Sequence, residues 1–419
     1  MTMLKTKHLL FLILFTCLSY AGPLPEFTHF IKNNFLDSRA GGLGGAYVGL
    51  SDTLVGTYYN PAGLAFMDVK RKTESSNLYQ QSTLNYSSDI TDLTYKFSSN
   101  TNPYVGFFQS FNNVHLAFSI IVPKSETFNK DNHEINTYST SSGLYTVESF
   151  ENLDGFNIQY LIGPSASTLI QDNLSVGVSL FYSQETRNYN QNAFSKLLNS
   201  ASELEIWTND YYEESMHEVL AILGVQWMPI RSIAIGSSLH IAMPLSGSGT
   251  EQNIASEYIS TDNIRYTSSA TTSSYDLKSL GFQSNYNQLL IGATYFNSPS
   301  TLFALDLQYM FGSEENNSLT FASSDTLNIA LGAEHYVLSY LPIRLGFYTN
   351  NSYFPDNLDG VHIDTTGLTL SVGFDNGQHS LNFLIDYQNG SGFETADSVK
   401  AYDITYNSLS YLISGSTNF

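Results

Sequence analysis

Bulky apolar residues recur at every second position in several stretches of the chain. In "VHLAFSIIV", Val114, Leu116, Phe118, Ile120 and Val122 interleave with His115, Ala117 and Ser119. In "SIAIGSSLHIAM", Ile233, Ile235, Leu239, Ile241 and Met243 alternate with Ser232, Ala234, Gly236, Ser238, His240 and Ala242. "LSVGVSLFY" from Leu174, "GLTLSVGF" from Gly367 and "SLNFLIDYQ" from Ser380 repeat the arrangement. A period of two with one bulky and one small or polar face is the pattern of a β-strand whose sides meet different surroundings. It predicts fourteen strands, at 75–86, 102–111, 113–126, 150–163, 174–189, 215–230, 232–246, 286–298, 301–313, 326–337, 342–352, 366–375, 378–392 and 405–419.

A soluble sandwich also alternates, so the connections decide. Asn112-Asn113, Met228-Pro229-Ile230-Arg231, Ser298-Pro299, Ser339-Tyr340-Leu341-Pro342 and Asp375-Asn376-Gly377 make tight turns, the last with an Asn-Gly hairpin signal. Between them the pattern leaves long loops at 127–149, 190–214 and 247–285. An even strand number with short turns on one rim and long loops on the other is the habit of a transmembrane antiparallel β-barrel. The all-β expectation is therefore a barrel of about 14 strands in the outer-membrane lipid bilayer.

Composition agrees. Aromatic residues make up 14 %, with 29 Tyr and 27 Phe, and no segment after the N-terminus offers the run of ~18 apolar residues that a spanning helix needs. Lys5 and Lys7 precede an apolar core, Leu9 to Leu18, and Ser19-Tyr20-Ala21 supplies a small-x-small cleavage pattern, so residues 1–21 read as a signal peptide. Cys17 raises a lipoprotein alternative, but Phe15 and Thr16 stand where small residues are needed. The exported chain then has no cysteine, and stability must come from a large core or from closed backbone pairing. Its net charge, −21 for the full sequence, argues against nucleic acid as a partner. Phe419 shares a face with Leu409, Tyr411 and Ile413, and a terminal aromatic on an amphipathic strand resembles the signal read by barrel-assembly machinery.

"SRAGGLGGAYVGLSDTLVGTYYNPAGLAF", Ser38 to Phe66, packs seven glycines into one stretch. A phosphate-cradling Gly-x-Gly-x-x-Gly starting at Gly42 and Gly44 meets Tyr47 at its third position, and no strand precedes it. What glycine supplies instead is freedom at positive φ and close backbone approach. A segment folded inside a barrel lumen needs both, because irregular backbone at membrane depth must be satisfied by protein or cavity water.

This stretch resembles the N-terminal hatch of the FadL-type family of outer-membrane transporters of long-chain fatty acids and aromatic hydrocarbons. The resemblance rests on Ser38, Arg39, Ala40, Gly44, Gly45, Ala46 and Asp52, followed by Tyr59, Asn60, Pro61, Ala62, Gly63 and Leu64. "GPSASTLIQDNLSVGVSLFYS" and "LGVQWMPIRSIAIGSSLHIAMPLSGSG" look like family strands. The resemblance implies a signal peptide at 1–21, a hatch at 22–74 and the barrel at 75–419. Some relatives, including PorV-like proteins, resemble it in the hatch yet serve as secretion scaffolds, so the motif identifies the fold better than the cargo. Arg39, Gly44, Gly45, Asn60, Pro61 and Ala62 form the hatch motif. Asn60-Pro61-Ala62 is a turn expected to anchor the hatch to the wall, and Arg39 is expected to pair with barrel carboxylates.

The family further implies a hydrophobic groove on the third and fourth outer loops, about 190–214 and 247–285 here. Phe194, Leu197, Leu198, Ala201 and Leu204 recur at helical spacing and predict an amphipathic helix, either a rim lid or a capture surface, with Trp207 just after it. The fourth loop, rich in Ser, Thr and Tyr, is a poor half-groove. Arg344 alternates with apolar neighbours and should face the lumen, either reading a ligand carboxylate or standing in a solvated ladder, and Asp306, Asp386 and His240 fall on inward positions too. The nine histidines carry no His-Glu-x-x-His spacing and no Gly-x-Ser-x-Gly elbow occurs, so neither catalysis nor a metal or cofactor is expected; His217 beside Glu218 reads as a rim residue. The leading expectation is passive uptake of hydrophobic small molecules, with a scaffold barrel of a surface complex as the alternative.

Overall fold

The computed structural model describes residues 34–67, 69–87, 92–140, 143–198, 203–260, 265–279, 285, 287–312, 323–353, 360–396 and 399–419. The predicted signal peptide lies outside the described residues. Sixteen strands follow in order: β1 Arg71–Ser87, β2 Asp92–Thr101, β3 Tyr104–Phe111, β4 Val114–Thr140, β5 Gly143–Gln171, β6 Leu174–Leu198, β7 Glu203–Ile230 and β8 Ile233–Ser260. The second half comprises β9 Arg265–Tyr275, β10 Gln288–Ser298, β11 Thr301–Met310, β12 Thr326–Leu338, β13 Leu341–Asn350, β14 Gly360–Asp375, β15 His379–Ala396 and β16 Val399–Asn418. All neighbours are antiparallel, and β1 pairs with β16 from Lys72↔Asn418 to Ser87↔Asp403, which closes the sheet.

Two positions in the ring are shared. β2 and β3 both lie between β1 and β4, interrupted at Asn102-Pro103. β9 pairs with the outer half of β8 and β10 with the inner half. The barrel therefore has 14 strand positions. Its outward residues include Leu116, Phe118, Ile120, Leu223, Val225, Trp227, Phe303, Leu305, Leu368 and Leu370, all exposed, while Ser165, Ser179, Ser183, Ser238 and Ser371 face inward and are buried. This apolar-out, polar-in order is stable only with hydrocarbon outside. The protein is a bacterial outer-membrane barrel.

Residues 34–67 pack against inward-facing side chains around the ring. Asp37 caps the short helix α1, Ser38–Gly42, by accepting from Ala40 N at 2.6 Å. A second turn of helix, α2 at Gly56–Tyr59, leads into a 3₁₀ turn at Pro61–Phe66 whose first N–H groups are capped by Asn60, accepting from Ala62 N at 3.1 Å. The irregular backbone between these pieces is satisfied by the wall: Ser414 Oγ accepts from Ser38 N, Asp306 Oδ2 accepts from Tyr47 N and Val48 N at 2.6 and 2.7 Å, and Ser179 Oγ donates to the Thr57 carbonyl at 2.6 Å. Leu36, Leu43, Tyr47, Leu54 and Leu64 join Tyr104, Phe108, Phe181 and Leu220 of the wall in one buried core. Gly44 has φ +67°, and a Cβ there would stand 2.8 Å from the Phe347 carbonyl.

Two expectations are corrected. The stretches 127–149, 190–214 and 247–285 are not simply loops: β4 to β8 are 25 to 29 residues long, far beyond the ~9 to 11 that cross a bilayer, and with β9 they form a sheet rising past the apolar belt. The amphipathic helix around Phe194 is strand instead. Phe194 lies opposite Trp207, ring centroids 4.3 Å apart, and Leu197 opposite Leu204. Neighbours on both sides satisfy the backbone of β6, so the ladder outweighs a local helical spacing worth a few tenths of a kcal/mol per residue. Ala201 lies outside the described residues.

A Cβ on Gly346 of β13 would stand 2.1 Å from Gly44 N. Gly346→Val is therefore expected to cost about 1–3 kcal/mol, read from the heat-induced shift in gel mobility, and to open Arg39 to trypsin. A variant as resistant as the parent would remove the close-contact account.

Candidate functional site: a lumenal cavity and the ion network beneath it

A cavity of about 170 Å³ lies inside the barrel. Gly44, Gly45, Tyr58 and Tyr59 of the N-terminal segment line one side; Leu220, Leu290, Met310, Ala330 and Tyr348 supply apolar wall. The inward parity of each strand puts these residues here: Leu220 shares its face with Ile222, Leu290 with Gly292, and Tyr348 with Arg344. Towards the outer rim, Tyr86, Tyr95, Leu153, Tyr189, Ile363, Ile404 and Tyr406 of β1, β2, β5, β6, β14 and β16 meet in a second buried cluster. Tyr86 and Tyr95 pack edge to face at 5.4 Å, a geometry favoured by the ring quadrupoles.

Cations near the cavity are all engaged. Lys124, which lines it, has its Nζ 3.5 Å from Glu185 Oε2; Arg187 reaches Glu185 Oε1 at 2.9 Å and Glu214 Oε2 at 3.4 Å. Each positive charge is thus met by a buried carboxylate, and the site presents no uncompensated cation to an anionic ligand.

A second, polar cavity of about 190 Å³ contains Arg39, Asp52, Glu74, Arg344 and Asn382. Arg39 grips Glu334 with Nε and Nη2, both at 3.1 Å, and reaches Asp52 with Nη1 at 2.7 Å. Arg344 donates from Nε to the same Glu334 at 2.5 Å and from Nη1 to Asn382 at 2.9 Å. Glu334 therefore bridges the N-terminal segment and β13. Burial and the adjacent Glu74 carboxylate raise the Asp37 carboxyl above the usual carboxylate range.

The structure separates the residues singled out from sequence. Arg344 lines the polar cavity and is absent from the lining of the apolar one. Phe194 and Trp207 sit on the outward face of the tall sheet, on the same side as Leu223 and Trp227, with Trp207 exposed; Leu204 faces the other way and is buried, as Leu197 partly is. Leu198 ends β6, and its side chain lies outside the described set. Asn60 holds the wall through Nδ2 to the Val225 carbonyl at 3.1 Å, and Ser175 Oγ donates to the Ala62 carbonyl at 2.8 Å beside Pro61. His217 and Glu218 are split by strand parity: His217 accepts or donates outside with Tyr182 OH at 2.7 Å, while Glu218 is buried inside beside Asn285. Among the described residues no group of three or more His, Cys, Asp or Glu is placed to hold a metal ion.

Sequence reasoning did not single out Lys124, Gln288, Gln308 or Tyr58. Alternation places Gln288 on the inward face with Leu290, and that signal was available; Tyr58 sits in an irregular turn where no periodicity exists.

Glu334 and Arg344 are 98 % and 97 % buried. Glu334→Ala should destabilise by about 3–5 kcal/mol by stranding a buried guanidinium, and adding Arg344→Met should recover part of that loss. Denaturant unfolding of the four members of this cycle checks it; additive costs would mean that the pair is not coupled.

No family model matches the chain, and no curated protein sequence matches it. Solved structures do. The toluene transporter TodX of P. putida aligns at 11 % identity over 93 % of this chain and 99 % of its own, with a TM-score of 0.64. A FadL homologue of Pseudomonas aeruginosa aligns at 12 % identity over 94 % and 100 %, TM-score 0.60. The toluene transporter TbuX of Ralstonia pickettii aligns at 13 % identity over 93 % and 100 %, TM-score 0.59. At such identities the likeness speaks to architecture. The closed barrel, its interrupted second position and these alignments establish that the chain has the FadL-type fold.

Proposed function

We propose that the protein is a passive channel for uncharged hydrophobic small molecules, with the N-terminal segment acting as its hatch. The observation that carries this reading is the lumenal cavity of about 170 Å³, where Tyr58, Tyr59, Leu220, Leu290, Met310 and Tyr348 share the lining with uncharged Asn and Gln side chains and the neighbouring cations are matched by carboxylates. A cavity of roughly 150 Å³ lined by apolar residues holds a benzene ring. Similarity to channels described as toluene transporters and as a monoaromatic hydrocarbon channel supports the same class of cargo. A fatty acid would have to find its own counter-charge.

The route out runs sideways. The β3–β4 ladder ends at Tyr104↔Ile121, and β2 pairs with β4 only at Phe97↔Phe128. Between them a single further bond, from Val122 N to the Pro103 carbonyl at 2.9 Å, crosses the wall; Pro103 and Pro123 lack N–H groups, and the Val122 and Pro123 carbonyls accept from Asn34 at 3.4 and 2.6 Å. Asn34 and Lys124 line both this seam and the cavity. Cargo held by hydrocarbon burial alone can leave here into lipid without crossing the polar cavity below.

A scaffold role is the second reading, favoured by the tall sheet of β4 to β9 beyond the apolar belt. Stoichiometric co-purification of a large partner, with empty lumen, would support it over uptake.

Across benzene, toluene and ethylbenzene, affinity should rise by ~0.8 kcal/mol, about fourfold, per added carbon until the cavity is full; a flat series removes the uptake reading. For the lateral route, continuing the register from Phe97↔Phe128 brings Asn100 opposite Ser125. Bridging Asn100→Cys and Ser125→Cys with a thiol cross-linker should block uptake into proteoliposomes while ligand still binds. Unchanged uptake after cross-linking would exclude the seam.

A further inference from the structure

On the outside of the wall, one strand breaks the apolar belt. Thr73, Ser75, Asn77, Tyr79 and Gln81 of β1 point outward and are exposed, and Ser98 and Asn100 of β2 extend the polar stripe. Apolar outward residues flank it on both sides: Phe107 and Val105 of β3 beside Thr73 and Ser75, Ile413 and Leu409 of β16 beside Asn77 and Gln81. The stripe therefore lies at membrane depth. Its Thr73 and Ser75 hydroxyls have no hydrogen-bond partner among the described residues. Asn77 Nδ2 donates to Asn100 Oδ1 at 3.2 Å and Gln81 Nε2 to Tyr79 OH at 2.8 Å, but neither of these two donating amides accepts a bond on its own oxygen among the described residues. Hydrocarbon leaves such groups unsatisfied. Elsewhere on the ring Leu305, Leu331, Leu345, Leu368 and Leu370 face the lipid.

The stripe also borders a hollow. An open groove of about 590 Å³ runs beside it, with Val105, Phe107, Phe118 and Ile120 as a ridge on one flank and Gly415 and Thr417 on the other. Nothing inside the barrel requires a glycine at 415: its φ is not positive, and a Cβ there would meet only the Ser380 carbonyl, at an ordinary 3.6 Å. We infer that this face is the interface of a homodimer within the membrane, its twofold axis running along the membrane normal beside β1. Such an axis carries the β3 flank of one copy onto the β16 flank of the other, so the Phe107 ridge meets the Gly415 hollow twice, once in each direction. The stripe then meets itself. Ser, Thr, Asn and Gln each donate and accept without net charge, so two identical stripes satisfy one another where lipid cannot. The inference is independent of what the lumen carries.

The sequence has one cysteine, Cys17, so single introduced cysteines report cleanly. Ser75→Cys, Gln81→Cys and, on another part of the wall, Leu368→Cys would each be treated with a short bis-maleimide in outer membranes of expressing cells. Expected is a product of twice the chain mass from the two stripe variants and none from Leu368→Cys. Adding Gly415→Phe to Ser75→Cys fills the hollow and should cut the dimer yield by roughly tenfold, through overpacking at the contact. The heat-induced shift in gel mobility of that double variant should match the parent, which shows that its barrel is folded. Equal cross-linking at Leu368→Cys would mean random collision and overturn the inference, as would no dimer from either stripe cysteine or a product joined to a different protein. A folded Gly415→Phe variant with undiminished yield would overturn the twofold packing of ridge on hollow.

Discussion

Closure of the backbone hydrogen-bond ladder in lipid is the constraint on which everything else rests. Hydrocarbon offers no partner to an N–H or C=O group, so each one at membrane depth must be met by protein. The β1–β16 pairing meets it at the seam between first and last strands. Where the ladder thins, around Pro103 and Pro123, the deficit is limited by residues that have no N–H to strand, by one bond from Val122 N to the Pro103 carbonyl, and by Asn34, which donates to the Val122 and Pro123 carbonyls. The weak place in the wall is therefore defined by the same rule that makes the wall.

Closing the sheet creates an interior that must be filled or wetted, and the N-terminal segment fills much of it. Its short helices leave most of its backbone unpaired internally, and inward Ser, Asp and Gln side chains supply the missing partners from strands all round the ring. The glycines at both surfaces let backbone approach backbone, as Gly44 does to Gly346. Charge follows the same economy: Arg39 and Arg344 share Glu334, and Lys124 and Arg187 share Glu185. An acidic chain with few cations uses these to hold its parts together, and the cations beside the first cavity face carboxylates rather than open space.

The tall sheet shows where sequence patterns mislead. Alternation of bulky and polar residues marks strands that have lipid on one side, but β4 to β8 continue beyond the belt with polar residues on both faces, such as Asn152, Asn190, Asn192 and Asn209 outward. Without a contrast between faces there is no period to read. In the same region Leu197, Leu204 and Phe194 matched a helical spacing by coincidence, and cross-strand pairing with β5 and β7 decided otherwise.

The barrel class, the strand positions within the belt and the compact glycine segment were legible in the sequence, because each depends on local periodicity, composition or turn chemistry. The inward direction of Arg344, Asp306 and His240 was legible too, since parity along one strand suffices. Which inward residues share a cavity was not: Arg344 and His240 are both lumenal, yet they line different cavities. That depends on how strands distant in sequence are staggered around the ring and on where the N-terminal segment lies among them, and such long-range geometry leaves no local trace in the order of the residues.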